Sequence, residues 1–352
     1  MNRNSKRLCA SLVIMLLFAA VACVLRTLAC LWHLEENQIY FAEGGMLSVA
    51  GALVVVGAIL SAAIALTMDK EPVRAHFSSA LTFVPTGLTA VALLIFGLCM
   101  LAVYTTLDSP LPDQRVSIAS ALALACAVLA PLSAVHFFLN AFLTERHTLL
   151  RAGFSLATVL LGALYAAFLY FGAGLPINAP NKLVEQMAYL FCSLFFLYET
   201  RISLGREMWR GYSVFGLIAA MLTAYASLPA LIAYFIDGVY VTKTVESAAL
   251  LFAFFIFITS RLCMAVSAAP DGECPEMAAL RAFAERREEE LRSGGRIEDG
   301  VQISITELID IPKHSPAEDD EGDAEPEAKA EPEAGVDEPR AEEMIDIGAV
   351  DA

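Results

Sequence analysis

Long runs of apolar residues, separated by short polar segments, make up most of the first 270 residues of the chain. A bilayer core about 30 Å thick requires roughly 20 helical residues, and eight of the runs reach that length. They lack the alternation of barrel strands, and backbone groups in lipid must bond internally, so each run predicts a helix. The predicted spans are approximately 8–32, 46–67, 78–104, 117–143, 152–173, 184–202, 212–236 and 246–267. This pattern predicts an all-α, polytopic membrane bundle of eight transmembrane helices within residues 1–270.

Positive charges in the short loops predict the orientation of the bundle. Every second loop, together with the two flanking segments, is rich in Lys and Arg, and the intervening loops hold at most one such residue each. Cytoplasmic loops carry this excess, so both termini are expected in the cytoplasm and the protein in the cell membrane. The first apolar run is too long for the core of a typical signal peptide, so we expect it to be the first span. The basic residues on the cytoplasmic side are Arg3, Lys6, Arg7, Lys70, Arg74, Arg146, Arg151, Arg201, Arg206, Arg210 and Arg261.

Composition and charge divide the chain into a membrane part and an acidic tail. The chain is 57% hydrophobic, above the 45–50% typical of soluble domains. Residues 271–352 hold 26 acidic and 8 basic residues, so the net charge of −16 belongs to the tail. Residues 271–295 have the periodicity of a juxtamembrane helix, and the acidic, Pro-rich segment 296–352 is predicted to be disordered. The acidic charge excludes nucleic acid as a partner of the tail.

The loops between spans are too short to fold a core of their own, so any chemistry must lie inside the bundle or in the tail. We find no catalytic or metal-binding motif, and none of the eight cysteines has the spacing of a zinc site. The sequence therefore predicts no catalytic residue, no metal and no cofactor. Whether the protein is an enzyme stays open, and the balance favours that it is not.

The sixth span carries polar residues at helical spacing. Glu185, Tyr189, Cys192, Phe196 and Glu199 follow one another at steps of four, three, four and three, which places them on one face. This face is a candidate ligand cleft or substrate path. The alternative is that the two carboxylates are interfacial end residues, either hydrated or ion-paired.

Three further residues belong to this candidate path. His136 and Asn140 lie one turn apart in the fourth span, and Arg201 follows the sixth-span stripe directly. His and Asn side chains also serve as bonds between membrane helices, so a purely structural role stays open.

Arg26 and three prolines also lie within predicted spans. Arg26 is near the end of the first span, where we expect its side chain to snorkel to the interface and meet Glu35 or Glu36. Pro85, Pro131 and Pro229 are expected to interrupt the backbone bonding of their helices.

Two apolar islands recur in the tail. The segment at 307–311 reappears 36 residues later at 343–347, and short β-prone segments of this kind dock by adding a strand to the sheet of a partner. Chance recurrence in a low-complexity segment is the alternative. The candidate docking residues are Leu308, Ile309, Asp310 and Ile311, and Met344, Ile345, Asp346 and Ile347.

These observations favour a multi-pass, non-enzymatic scaffold or signalling accessory that recruits a cytoplasmic protein through its acidic tail. The alternative is a facilitative transporter or ligand-binding bundle that uses the sixth-span face with His136 and Asn140. A membrane enzyme acting on lipid is a third, less supported hypothesis.

Overall fold

A computed structural model describes residues 3–34, 41, 45–68, 80–107, 114–142, 148–171, 179–203, 208–238 and 245–267. These residues form eight α-helices, each of which coincides with one predicted span, so the all-α prediction is confirmed for them. The helices are α1 (Arg3–Trp32), α2 (Gly45–Leu66), α3 (Ala80–Leu107), α4 (Gln114–Phe142), α5 (Thr148–Phe171), α6 (Pro180–Ser203), α7 (Trp209–Asp237) and α8 (Val245–Ser267).

Seven of the eight helices are long and apolar enough to cross a membrane, which identifies a multi-pass membrane protein. The exception is α6, which carries Lys182, Glu185, Glu199 and Arg201 within 24 residues. The sequence pattern thus predicts eight spans, whereas helix length and apolar composition identify seven.

The helices pack with α7 and α8 at the centre of the bundle. Helix α7 contacts α1, α2, α6 and α8, and α8 also contacts α1, α3 and α6. Among the other helices, α3 contacts α4, α4 contacts α5 and α5 contacts α6. Cross-helix bonds join the start of one helix to the end of the next: Arg7 of α1 donates to the carbonyl of Thr67, just after α2. Likewise Lys182 of α6 donates to the carbonyl of Tyr170 near the end of α5, and Arg210 of α7 to that of Met68 after α2. These helix pairs therefore run antiparallel, and we call the end at which α1 begins the N-terminal end of the bundle.

An aromatic core occupies the space that α3, α4, α5, α6 and α8 enclose. The ring of Phe137 on α4 lies 5.7 Å from that of Phe196 on α6 and 4.9 Å from that of Phe257 on α8, both edge-to-face. The rings of Tyr165 and Tyr189 are 4.6 Å apart, and such pairs add to the energy of simple apolar burial. The aromatic core comprises Phe96, Phe137, Tyr165, Tyr189, Phe196, Phe254 and Phe257.

Small residues and prolines shape the helix contacts. A Cβ built on Gly162 of α5 would lie 3.0 Å from the carbonyl oxygen of Tyr189 and would collide with the side chain of Ser193, so only glycine permits this approach of α5 to α6. The expected prolines Pro85, Pro131 and Pro229 lie inside α3, α4 and α7.

Candidate functional site: two buried polar clusters on α6

Helix α6 directs its charges inward and its apolar side chains outward. Its inner face holds the predicted stripe of Glu185, Tyr189, Cys192, Phe196 and Glu199, all buried. Its outer face holds apolar residues spaced four, three and four positions apart, and each is at least 37% exposed. They are Leu183, Met187, Leu190 and Leu194. The charged face explains why α6 is less apolar than the other seven helices although its outer surface resembles theirs.

The first polar cluster lies at the end of the bundle opposite the N-terminal end. The hydroxyl of Ser247, near the start of α8, donates to Glu185 Oε1 on α6. The Tyr189 hydroxyl lies 3.0 Å from Ser247 Oγ and 3.2 Å from the Ser247 carbonyl oxygen. Because all three side chains are no more than 1% exposed, these bonds connect α6 to α8 in surroundings where an unpaired carboxylate would be costly.

Arg26 joins the same cluster from α1. The residue is 1% exposed, so its side chain lies between helices and is not hydrated, and the expected partners Glu35 and Glu36 lie outside the described residues. Its Nη1 donates to the carbonyl oxygen of Tyr225 at 2.8 Å and its Nη2 to Asn181 Oδ1 at 2.9 Å. The guanidinium also lies over the Tyr225 ring, with Cζ 4.4 Å from the ring centroid. Arg26 thus connects α1 to both α6 and α7.

Proline chemistry explains why Tyr225 accepts from Arg26. In an α-helix the carbonyl of residue 225 would accept from the backbone N–H of residue 229, but residue 229 is proline and has no N–H. The carbonyl of Tyr225 is therefore left without its helical donor, and Arg26 supplies one from another helix.

Lys182 and Gln186 attach the same end of α6 to α5. Lys182 is 2% exposed, and its Nζ donates to the carbonyl oxygen of Tyr170 at 3.3 Å. Gln186 Nε2 donates to the carbonyl oxygen of Ala166 at 3.2 Å. Polar side chains thus bond the start of α6 to its neighbours, as interhelical hydrogen bonds do in membranes.

The second polar cluster lies near the N-terminal end of the bundle. Arg261 Nη2 on α8 pairs with Glu199 Oε1 on α6 at 2.9 Å, and both side chains are less than a tenth exposed. The guanidinium carbon of Arg261 is 5.3 Å from the centroid of the Phe257 ring. Thr200, the residue that follows Glu199 on α6, has its hydroxyl 2.5 Å from that of Ser155 on α5. Glu199 is thus ion-paired with α8.

The two clusters are separated along α6 by the aromatic core. Cys192 and Phe196 lie between Glu185 and Glu199 on the inner face, and the Phe196 ring packs 5.1 Å from that of Phe254. The stripe is therefore one face in geometry but consists of two polar ends with an aromatic middle.

The remaining predicted site residues have different positions. His136 is 2% exposed, and its ring lies 5.2 Å from that of Phe137. Asn140 belongs to α4, but its side chain is outside the described residues, as are the tail residues 308–311 and 344–347. Arg201 is exposed at the end of α6, where it donates to Met208 Sδ at 3.1 Å.

Three partners that reach α6 from other helices were not predicted from the sequence, namely Arg26, Ser247 and Arg261. Two signals were present. Arg26 and Arg261 both fall inside apolar spans, where a charged side chain requires a partner, and Pro229 follows Tyr225 by four residues. Within the described part of the chain, there is no group of three or more His, Cys, Asp or Glu side chains that would hold a metal ion.

In comparisons with known proteins, the chain matches no family model, no curated protein and no solved structure.

Proposed function

We propose that this chain is an eight-span protein of the cell membrane that acts as a non-enzymatic scaffold or signalling accessory and recruits a cytoplasmic protein through its acidic tail. The observation that carries the proposal is the aromatic core. It fills the region between α4 and α6, where a transporter would need a polar path.

The geometry of α6 supports its assignment as the eighth span. Its 24 residues correspond to about 36 Å of helix, enough to cross a bilayer. Its outward residues from Leu183 to Leu194 are apolar. Its inward charges have partners on other helices, which removes the main cost of placing them at membrane depth.

An even number of spans puts both termini on the same side of the membrane. The loops next to the N-terminal end of the bundle carry most of the Lys and Arg residues, and such loops face the cytoplasm. In this orientation the 82 residues that follow position 270 extend into the cytoplasm.

The charge of the tail suits a recruitment role. A segment with a net charge of −18 is repelled by the anionic inner leaflet and projects into solution. The two islands, at 308–311 and 344–347, would each add a strand to a partner, and two copies on one chain would increase avidity for a bivalent partner.

The alternative is a facilitative transporter or ligand-binding bundle that uses the α6 face with His136 and Asn140. Along that face a substrate would meet Phe196, which packs against rings from α4 and α8. Transport would require this packing to open in every cycle, and packed side chains resist such rearrangement. The scaffold therefore explains the geometry with fewer assumptions.

The test is a crosslinked pull-down from membranes. The full chain is compared with a chain that ends at Gly295 and with a double variant, Ile309→Ser with Ile345→Ser, that breaks both islands. Val336→Ser is the matched control, because it removes an apolar residue that lies between the islands.

We expect a cytoplasmic partner that the full chain and the Val336 variant both retain. The chain that ends at Gly295 and the double variant should both lose it. A partner list that is the same for all four chains would overturn the recruitment role. Concentrative or facilitated uptake of a solute that depends on Glu185 and Glu199 would support the transporter instead.

A further inference from the structure

We propose that Arg26 and Asn181 form a binding site for a carboxylate or phosphate group at the N-terminus of α6. The site is independent of the tail, and its existence does not depend on the scaffold role.

The first observation is a buried cation with neutral contacts. Arg26 is 1% exposed, and its bonds run to the Tyr225 carbonyl and the Asn181 amide, beside the thiol of Cys30. Among the described residues no carboxylate forms an ion pair with it. Buried charges in proteins are normally paired, because an isolated ion in a low-dielectric interior is strongly destabilised.

The second observation is an unpaired donor on the guanidinium of Arg26. In arginine, Nε–H and one Nη2–H lie along the edge that receives the two oxygens of a carboxylate or phosphate in a bidentate pair. Nη2 of Arg26 donates to Asn181 Oδ1, whereas Nε has no hydrogen-bond partner. The Nε end of this edge is therefore buried and without an acceptor.

A second unpaired donor lies on the same amide. Nδ2 of Asn181 has no partner, and this residue is 3% exposed. Because Oδ1 of this amide accepts from Nη2 of Arg26, the two unpaired nitrogens belong to side chains that are hydrogen-bonded to each other. Each buried donor without a partner costs about 1–3 kcal/mol. One oxyanion at this position would satisfy both.

The surrounding charges favour an anion. Lys182, the next residue on α6, is 2% exposed, and the positive end of the α6 dipole lies at Pro180 and Asn181. The carboxylate in the cluster, Glu185, already accepts from Ser247. Arg26, Lys182 and Glu185 together therefore carry one more positive than negative charge.

The position along α1 suggests two sources for the oxyanion. Arg26 precedes the last residue of α1 by six positions, which corresponds to about 9 Å of helix. That depth is close to the headgroup region of a bilayer. The two candidate sources are therefore the phosphate of an anionic lipid and a soluble carboxylate or phosphate from the aqueous side.

The test uses the purified full chain in neutral detergent, with thermal unfolding as the readout. Sodium phosphate and sodium acetate are compared with sodium chloride at equal ionic strength. Phosphatidylglycerol is compared with phosphatidylcholine in mixed micelles. We expect at least one oxyanion probe to raise the Tm by about 3 °C or more at saturation, as ligand linkage requires. The probe that acts distinguishes a soluble ligand from a lipid headgroup.

Variants of Asn181 make the test specific. Asn181→Ala removes one donor and is expected to abolish most of the Tm increase. Asn181→Asp places a carboxylate against Arg26 without a change of shape, so it should raise the Tm without any added anion and remove the response to the probes. Arg201→Gln removes an exposed arginine of the same helix and should leave the response unchanged.

Two results would overturn the proposal. One is a wild-type Tm that no oxyanion probe raises above its control. The other is an equal increase in wild type and in both Asn181 variants, because the anions would then act elsewhere. If Asn181→Ala fails to fold, Asn181→Asp alone decides between the outcomes.

Discussion

The ion pair between Glu199 and Arg261 joins α6 to α8 at the centre of the bundle. Replacement of either partner leaves the other charge buried, since both side chains are less than a tenth exposed. We predict that Glu199→Gln and Arg261→Gln each destabilise the folded protein severely.

The magnitude follows from the geometry. At 2.9 Å and an effective dielectric constant of about 20, the attraction is about 6 kcal/mol. Desolvation of the two ions offsets most of this attraction, so the pair contributes little net stability as a unit. Loss of one partner, however, leaves an uncompensated buried charge, which costs about 3–5 kcal/mol.

A double-mutant cycle separates these effects. The free energy of unfolding is measured in mixed detergent micelles for wild type, Glu199→Leu, Arg261→Met and the double variant. The single variants should lose about 3–5 kcal/mol each, and the double variant much less than their sum. The coupling energy should therefore be at least about 2 kcal/mol.

Arg201→Gln is the matched control, because Arg201 lies on the same helix but is exposed. It should change the unfolding free energy by less than about 0.5 kcal/mol. Single variants of Glu199 and Arg261 that behave like this control would refute the reasoning, as would additive effects in the double variant, because either result means that the two charges do not meet inside the bundle.

Two further substitutions test contacts of α6 and α7. Arg26→Met should lower the free energy of unfolding by about 1–3 kcal/mol because the Tyr225 carbonyl loses its donor. Pro229→Ala should recover part of that loss by restoring the helical N–H. An equal loss with and without Pro229→Ala would contradict this role of Pro229. Gly162→Ala should destabilise the protein by about 1–3 kcal/mol because the added Cβ has no space. Gly153→Ala, whose Cβ would meet nothing within 4 Å, is the control and should be neutral. Equal thermal stability of the two variants would disprove the close approach of α5 to α6.

The positions of the helices could be predicted from the sequence because membrane spans follow from local composition. Apolar runs of sufficient length located all eight helices, and the helical period of the α6 stripe indicated which of its side chains share a face. Both inferences use residues within one helix, where spacing determines geometry.

The partners of those side chains could not be predicted, because they depend on how distant helices pack. Nothing local to Glu199 indicates that Arg261, 62 residues later, reaches it rather than a nearer arginine. The same holds for Arg26, which bonds to Asn181 and Tyr225, 155 and 199 residues away in the sequence. A charged residue inside an apolar run predicts that a partner exists, but only the three-dimensional packing of the helices identifies that partner.

The most direct test asks whether α6 crosses the membrane with its charges inside the bundle. In a background with Cys274→Ser, one new cysteine is introduced by Asn178→Cys, just before α6, or by Gly205→Cys, just after it. Intact cells are treated with a membrane-impermeant maleimide before and after permeabilisation. The eight-span topology predicts that the cysteine at 178 is labelled in intact cells and that at 205 only after permeabilisation. Labelling of both from the same side would show that α6 does not span the membrane and would contradict this topology.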